Sequence, residues 1–196
     1  MLAKLRIAAL MLCPILMGQG PADDGRWYAG AYSFSDEIGG FRILSVTGIG
    51  TREDPFLIVQ EFDSATPAVM VIRAARPLSV LGSPPAFANG MMYVEITVIN
   101  ASGMPWIAFE LELQHHLGQP STFGDGLSFD QRRADGGELD SDSYERFERD
   151  FEPYDRVRFV DGVIDPSAAG KLRMFITDFT PTTTFYLKLD PQAPYA

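Results

Sequence analysis

The chain has 196 residues and a formal net charge of −10, and 46% of its residues are hydrophobic. This length and apolar fraction suffice for one ordinary hydrophobic core, and the negative charge disfavours binding to nucleic acid or to an anionic membrane surface. With one cysteine, the chain can form neither an internal disulfide bond nor a zinc site or iron–sulfur cluster held by several thiolates.

The N-terminal segment has the layout of a secretory signal peptide. Lys4 and Arg6 precede an apolar run from Ile7 to Met17, which is too short to span a bilayer. The small residues Gly20 and Ala22 follow this run and predict cleavage after Ala22. We therefore expect residues 1–22 to be removed and the protein to be exported, either periplasmic or extracellular, with no stable membrane insertion after cleavage.

Cleavage at this position also removes the cysteine, Cys13, and with it any cysteine nucleophile. A lipoprotein signal is the alternative interpretation, but the residues before Cys13 are Leu10, Met11 and Leu12, and none has the small side chain expected just before a lipidated cysteine. Two of the 16 basic residues are lost as well, so 14 basic residues face 26 acidic ones and the mature charge becomes −12.

Residues 23–196 are predicted to form one all-β domain. Short runs rich in β-branched and aromatic residues alternate with turn residues, and neither a repeat nor a β–α–β alternation is visible. This pattern predicts a single antiparallel β-sandwich, immunoglobulin-like or jelly-roll-like, with one short helical insertion. The predicted strands are Arg26–Phe34, Phe41–Val46, Phe56–Phe62, Ala68–Ala74, Met91–Ile99, Ile107–Gln114, Arg156–Val160, Leu172–Asp178 and Thr184–Leu189.

Two segments, Phe56–Val59 and Val69–Ile72, are apolar at every position. Strands of this kind are covered on both faces. We therefore expect them to form the centre of the core.

Two other strands alternate apolar and polar residues. Met91–Ile99 and Ile107–Gln114 each have one apolar and one polar face, and the connection over residues 100–105 is rich in turn-forming residues. The sequence therefore predicts that the two strands form a hairpin.

Such a hairpin brings Glu95 close to Glu110 and Glu112 on one solvated face. Strand alternation predicts that the side chain of Trp106 lies on the same face. We identify these four residues as the candidate interaction surface. Like charges directly across a sheet are destabilising. A basic neighbour on an adjacent strand is therefore expected, with a bound cation or plain solvent screening as the alternatives. The basic residues of the predicted strands that could supply it are Arg73, Arg156, Arg158, Arg173 and Lys188.

The segment Asp140–Asp155 is the one stretch predicted to be helical. Tyr144 and Phe147 recur at helical spacing, and Pro153 ends the pattern. We expect a short amphipathic helix within an acidic loop and helix insertion of about residues 118–156.

This acidic segment also holds the candidate metal ligands. Half of the 26 acidic residues lie between Asp125 and Asp165, and carboxylates on loops suit Ca²⁺. Asp140, Asp142 and Glu145 are the candidate ligands, although the glycine that an EF-hand needs is missing. A solvated surface matched by arginines is the favoured interpretation, so apart from a weak calcium site no cofactor is predicted.

No catalytic residue is predicted. No serine lies in a Gly-x-Ser-x-Gly context. His115 and His116 are adjacent at the end of a strand, where alternation points them to opposite faces and prevents them from sharing one metal.

These absences favour an exported, non-enzymatic binding or interaction domain that presents its acidic segment, 118–156, to an unknown protein or glycan. A carbohydrate-active enzyme or carbohydrate-binding module on the same scaffold is the first alternative, and two close carboxylates with exposed aromatic residues would favour it. A structural component of the cell envelope is the second, which a large exposed apolar patch or strand edge would favour.

Overall fold

The computed structural model describes residues 20–76, 90–132, 137–150 and 154–194. Strands make up 58% and helix 3% of the structure, and the strands form two sheets packed together as a β-sandwich. The predicted all-β class is therefore confirmed. The basic residues and apolar run of the predicted signal peptide lie outside the described residues. In the part of the chain that is described, no helix is long and apolar enough to cross a bilayer.

The strands, in chain order, are β1 (Trp27–Ala29), β2 (Tyr32–Ser35), β3 (Arg42–Thr47), β4 (Phe56–Phe62), β5 (Ala68–Ala74), β6 (Met91–Asn100), β7 (Ala108–His116), β8 (Gln119–Pro120), β9 (Leu127–Phe129), β10 (Asp140–Ser141), β11 (Tyr144–Asp150), β12 (Arg156–Gly162), β13 (Ala169–Asp178) and β14 (Thr184–Gln192). Two short 3-10 turns cover Phe123–Asp125 and Asp130–Arg132.

The eight-stranded sheet has the order β1-β2-β5-β14-β7-β12-β11, with β8 paired to β7. The six-stranded sheet has the order β10-β13-β6-β4-β3, with β9 paired to β13. The pairing of β4 with β6 is parallel, and the other described strand pairs are antiparallel.

The core lies between the two sheets and is rich in aromatic side chains. The ring of Phe62 lies 5.4 Å from that of Phe41, 5.8 Å from Trp106 and 6.1 Å from Phe109, between ring centroids. Full burial of a large apolar side chain stabilises a fold by about 1.5–3 kcal/mol. This cluster therefore fixes how the two sheets pack.

The predicted hairpin of β6 with β7 is wrong, because the two strands lie in different sheets. Their connection crosses the end of the sandwich around Asn100, which is fully buried. The Asn100 side-chain Nδ2 donates to the carbonyl oxygens of Met104 (2.7 Å) and Ile164 (2.9 Å), and its Oδ1 accepts from the Ser102 backbone N–H (3.0 Å). An alternating strand needs only an apolar interior on one side, so the sequence pattern did not show which sheet each strand joins.

The predicted strand 26–34 is two strands joined by a tight turn. Trp27 pairs with Phe34 and Ala29 with Tyr32. Gly30 adopts a φ of +52° in the turn, and a Cβ there would lie 2.9 Å from the carbonyl oxygen of Ile49. Glycine is the residue that fits this conformation without strain.

The predicted helix is also wrong. Residues 144–150 form strand β11, which pairs antiparallel with β12, and Pro153 lies outside the described residues. Glu145 and Arg149 are four residues apart in the sequence, a spacing that puts two side chains on one face in a strand as well as in a helix. Cross-strand ion pairs, such as Arg158 Nη1 with Glu148 Oε2 at 3.1 Å, stabilise the strand.

The acidic segment is part of the sandwich rather than an addition to it. Strands β8 to β11 lie within residues 118–156, and they pair with β7, β13 and β12. The segment therefore contributes to both sheets.

The two uniformly apolar segments differ. In β5, Met70, Val71 and Ile72 are buried, as expected for a strand covered on both faces. In β4, Leu57 is 40% exposed, so its outer face is not covered and that part of the prediction is wrong.

Candidate functional site

The residues of the predicted interaction surface do not lie together. Trp106 is fully buried in the core, so it contributes no surface at all. Glu95 lies on β6 in the six-stranded sheet, whereas Glu110 and Glu112 lie on β7 in the eight-stranded sheet. This correction follows from the crossing of the β6–β7 connection between the sheets.

Glu110 and Glu112 are joined by one arginine. Arg156 lies on the neighbouring strand β12. Its Nε is 3.2 Å from Glu110 Oε1, and its Nη2 is 2.5 Å from Glu112 Oε2. Its guanidinium carbon also lies 4.4 Å from the centroid of the Tyr154 ring. The expected basic neighbour is therefore present, and it gives this pair of carboxylates a structural partner.

Two of the three candidate metal ligands, Asp140 and Asp142, have another partner. Asp140 Oδ2 accepts from Arg173 Nη1 at 2.6 Å, and Asp142 Oδ1 accepts from the Lys171 backbone N–H at 2.7 Å. Glu145 is exposed on β11. Among the described residues, no group of three or more acidic, histidine or cysteine side chains is placed to hold a metal ion.

The two histidines lie closer together than alternation predicts. The ring centroids of His115 and His116 are 4.6 Å apart, so the expectation that they point to opposite faces is wrong. The register between β7 and β8 shifts between Gln114 and His116, which breaks the alternation at this strand end.

A groove of about 270 Å³ lies on the outer face of the six-stranded sheet. Strands β6 and β13 supply its floor, the loop between β3 and β4 supplies one wall, and residues 137–140 supply the other. Its lining residues are Arg52, Pro55, Tyr93, Val94, Glu95, Gly137, Glu138, Asp140, Arg173 and Met174.

One aromatic residue, Tyr93, lines the groove. The Tyr93 ring stacks on Phe175 of β13 with 4.5 Å between centroids and 22° between planes. The guanidinium carbon of Arg52 lies 5.7 Å from the Tyr93 centroid, and Arg52 also forms an ion pair with Glu138. Burial raises the pKa of the Tyr93 hydroxyl, and the Glu138 carboxylate adds to this effect. The hydroxyl is therefore protonated at neutral pH.

A charged network lies next to this pair along the strands. Glu95 accepts from Lys171 Nζ and from Arg173 Nε, both at 2.8 Å, and Arg173 also reaches Asp140. Burial alone would raise the pKa of Glu95, but the hydrogen bonds from these two basic residues outweigh it, and the pKa is lowered. Glu95 is therefore a carboxylate at neutral pH.

Of the groove residues, Glu95 and Asp140 were predicted from the sequence. Tyr93, Arg52 and Arg173 were not predicted to be site residues. Tyr93 occupies a polar-face position of an alternating strand, where an aromatic residue is unusual. That position was the available signal. The pairing of Tyr93 with Phe175 and of Glu95 with Arg173 depends on strand register, which the sequence does not give.

The comparisons with known proteins do not add to this description. No protein-family model matches the chain, and no similar protein was found among curated sequences or solved structures. The fold and the groove therefore define the molecule as an all-β sandwich with a polar and aromatic groove on one sheet.

Proposed function

We propose that the protein is an exported, non-enzymatic binding domain whose ligand occupies the groove on the six-stranded sheet. The observation that carries the proposal is the groove itself, in which the aromatic ring of Tyr93 and several hydrogen-bonding side chains line one concave surface. Ligand sites in proteins combine these features.

The groove also modifies the expected location of the site. The acidic segment contributes Gly137, Glu138 and Asp140, and Glu95 comes from the predicted interaction surface. The partner is therefore expected to contact the middle of the acidic segment rather than its whole length.

A binding role fits the site better than a catalytic one. The two close carboxylates on the eight-stranded sheet, Glu110 and Glu112, are both bound by Arg156, and Glu112 is buried. A glycosidase requires its two carboxylates to reach a substrate across a cleft. The Arg156 contacts support a structural role for this pair.

The test is a chemical-shift titration of ¹⁵N-labelled protein with three sets of probes: neutral oligosaccharides, uronic-acid oligosaccharides, and short acidic and basic peptides. At least one set is expected to shift the amide signals of Tyr93, Glu95 and Arg173, and the probe should be recovered intact. If no set shifts these signals, or if the bound probe is cleaved, the proposal is wrong.

A further inference from the structure

We propose that the ligand of the groove is a neutral, hydroxyl-rich molecule of the saccharide class. This inference rests on the proposed function, because it takes the groove as the ligand site and names the chemistry of the ligand.

The charges of the groove are balanced. Each carboxylate in it contacts a basic side chain of the same site, so the groove has no net charge for a charged ligand to neutralise. A charged ligand that displaced one of these partners would also lose a hydrogen bond to a charged group, which contributes about 1.5–3 kcal/mol net. A neutral ligand leaves the pairs intact. The three acidic and three basic residues of this network are Glu95, Glu138 and Asp140, and Arg52, Arg173 and Lys171.

The network nevertheless retains unused hydrogen-bonding capacity. Arg173 donates through Nε to Glu95 and through Nη1 to Asp140, and within the described chain its Nη2 donates to no residue. Asp140 accepts from Arg173 through Oδ2 and has a second oxygen, and its side chain is 64% exposed. A guanidinium offers five N–H donors and a carboxylate about four acceptor positions. A hydroxyl group both donates and accepts, so one hydroxyl can bridge Arg173 and Asp140.

The aromatic pair supplies the apolar part of the site. Phe175 stacks on the Tyr93 ring, with 4.5 Å between centroids. The guanidinium carbon of Arg52 lies 5.7 Å from the Tyr93 centroid, and the Arg52 side chain is 65% exposed. The C–H face of a pyranose ring can therefore replace a solvent-exposed contact on Tyr93 without breaking any buried one.

Calorimetric titration with cello-, xylo-, malto- and laminari-oligosaccharides tests this inference, with oligogalacturonate and charged peptides as comparison probes. We expect at least one neutral oligosaccharide to bind, with an affinity that changes little between low and high salt because no ion pair forms with the ligand.

Two substitutions locate the binding. Tyr93→Ala removes the aromatic face, and Asp140→Asn alters an exposed acceptor with little risk to the fold. Each is expected to weaken binding by about tenfold, which corresponds to about 1.4 kcal/mol. Tyr28→Ala is the matched control, because Tyr28 is an exposed tyrosine on β1 of the other sheet, and it should leave the affinity unchanged.

The possible failures can be told apart. If oligogalacturonate or a peptide shifts the groove amides and the neutral sugars do not, the inference is wrong and the proposed function stands. If a neutral sugar binds equally well to Tyr93→Ala and Asp140→Asn, the inference is also wrong. If no probe of any class shifts the groove amides, the proposed function and the inference both fail.

Discussion

At the scale of single residues, Gln60 is exceptional because its primary amide lies in the apolar interior. It points inward from β4 between Ile58 and Phe62 and is fully buried. Neither its Nε2 nor its Oε1 has a hydrogen-bond partner within the described chain. A buried polar group without a partner loses its hydration and gains nothing in return.

We therefore expect Gln60→Met to increase the free energy of unfolding by about 1–3 kcal/mol, because methionine has a similar shape and no amide. Urea denaturation measures this change. Gln114→Met is the matched control and should be destabilising. The amide of Gln114 is also buried, but it donates to Glu112 (2.8 Å) and accepts from the Gly118 N–H (2.8 Å). A loss of stability in Gln60→Met would contradict the assignment.

At the scale of strands, the acidic residues of β6 and β7 have opposite electrostatic environments. Burial raises the pKa of Glu110 on β7 and outweighs the attraction of Arg156, although the two side chains form an ion pair. On β6 the balance is reversed, because Lys171 and Arg173 together outweigh the burial of Glu95 and lower its pKa. At Glu110 the attraction of Arg156 and Lys188 does not compensate for burial, and the nearby Asp190 and Glu112 raise its pKa further.

The signs of the resulting pH dependence are therefore opposite. The raised pKa of Glu110 means that its charged form is disfavoured in the fold, so Glu110→Gln should raise the melting temperature at pH 7 and have little effect below about pH 4.5, near the ordinary value. Because the pKa of Glu95 is lowered in the fold, its charged form stabilises the protein above about pH 4.5. This stabilisation is lost as the pH falls through the folded-state pKa. Glu95→Gln should therefore lower the melting temperature at pH 7 and have little effect in acid.

Thermal melts of both variants and the parent protein from pH 3 to pH 8 provide the measurement. A fall in the melting temperature of Glu110→Gln at pH 7 would mean that the Arg156 ion pair outweighs burial after all.

The strands also show what could be predicted from the sequence. β4 and β5 have the predicted bounds, and β6, β7, β12, β13 and β14 overlap their predictions, because alternation and β-branched residues are local signals. The prediction that β6 and β7 share one sheet was wrong, since both strands satisfy their pattern equally well in one sheet or in two. The groove depends on this missing information. Glu95 and Asp140 were predicted individually. The register of β6 with β13 places Tyr93 opposite Phe175 and Glu95 opposite Arg173, and this register could not be predicted.

At the scale of the whole molecule, a buried polar cluster connects the two sheets. Asp155 precedes β12 of the eight-stranded sheet, and its Oδ2 accepts from the backbone N–H of Phe129 in β9, at 3.2 Å. Arg149 of β11 lies 3.4 Å from Asp155 Oδ1 and donates to the Phe129 carbonyl at 2.8 Å. The side chains of Asp155 and Arg149 are 0% and 3% exposed.

We expect Asp155→Ala to decrease the free energy of unfolding by about 3–5 kcal/mol, because it removes the acceptor of the Phe129 N–H and one partner of the buried Arg149 charge. The double variant Arg149→Met, Asp155→Ala should be more stable than Asp155→Ala, because it removes that buried charge. Denaturant unfolding of the three proteins measures both effects. Equal stability of the single and double variants would show that the two side chains are not coupled.

The position of β14 in the eight-stranded sheet has a consequence for the order in which the chain can fold. β14, the last of the described strands, lies between β5 and β7, where Leu187 pairs with Met70 on one side and with Leu113 on the other. Until residues 184–192 are in place, β1, β2 and β5 have no hydrogen-bonded connection to β7, β12 and β11. Pairings between such distant segments form slowly, because the long loops between them must close first. Assembly of this sheet is therefore a late event, because it cannot be completed before residues 184–192 have been synthesised.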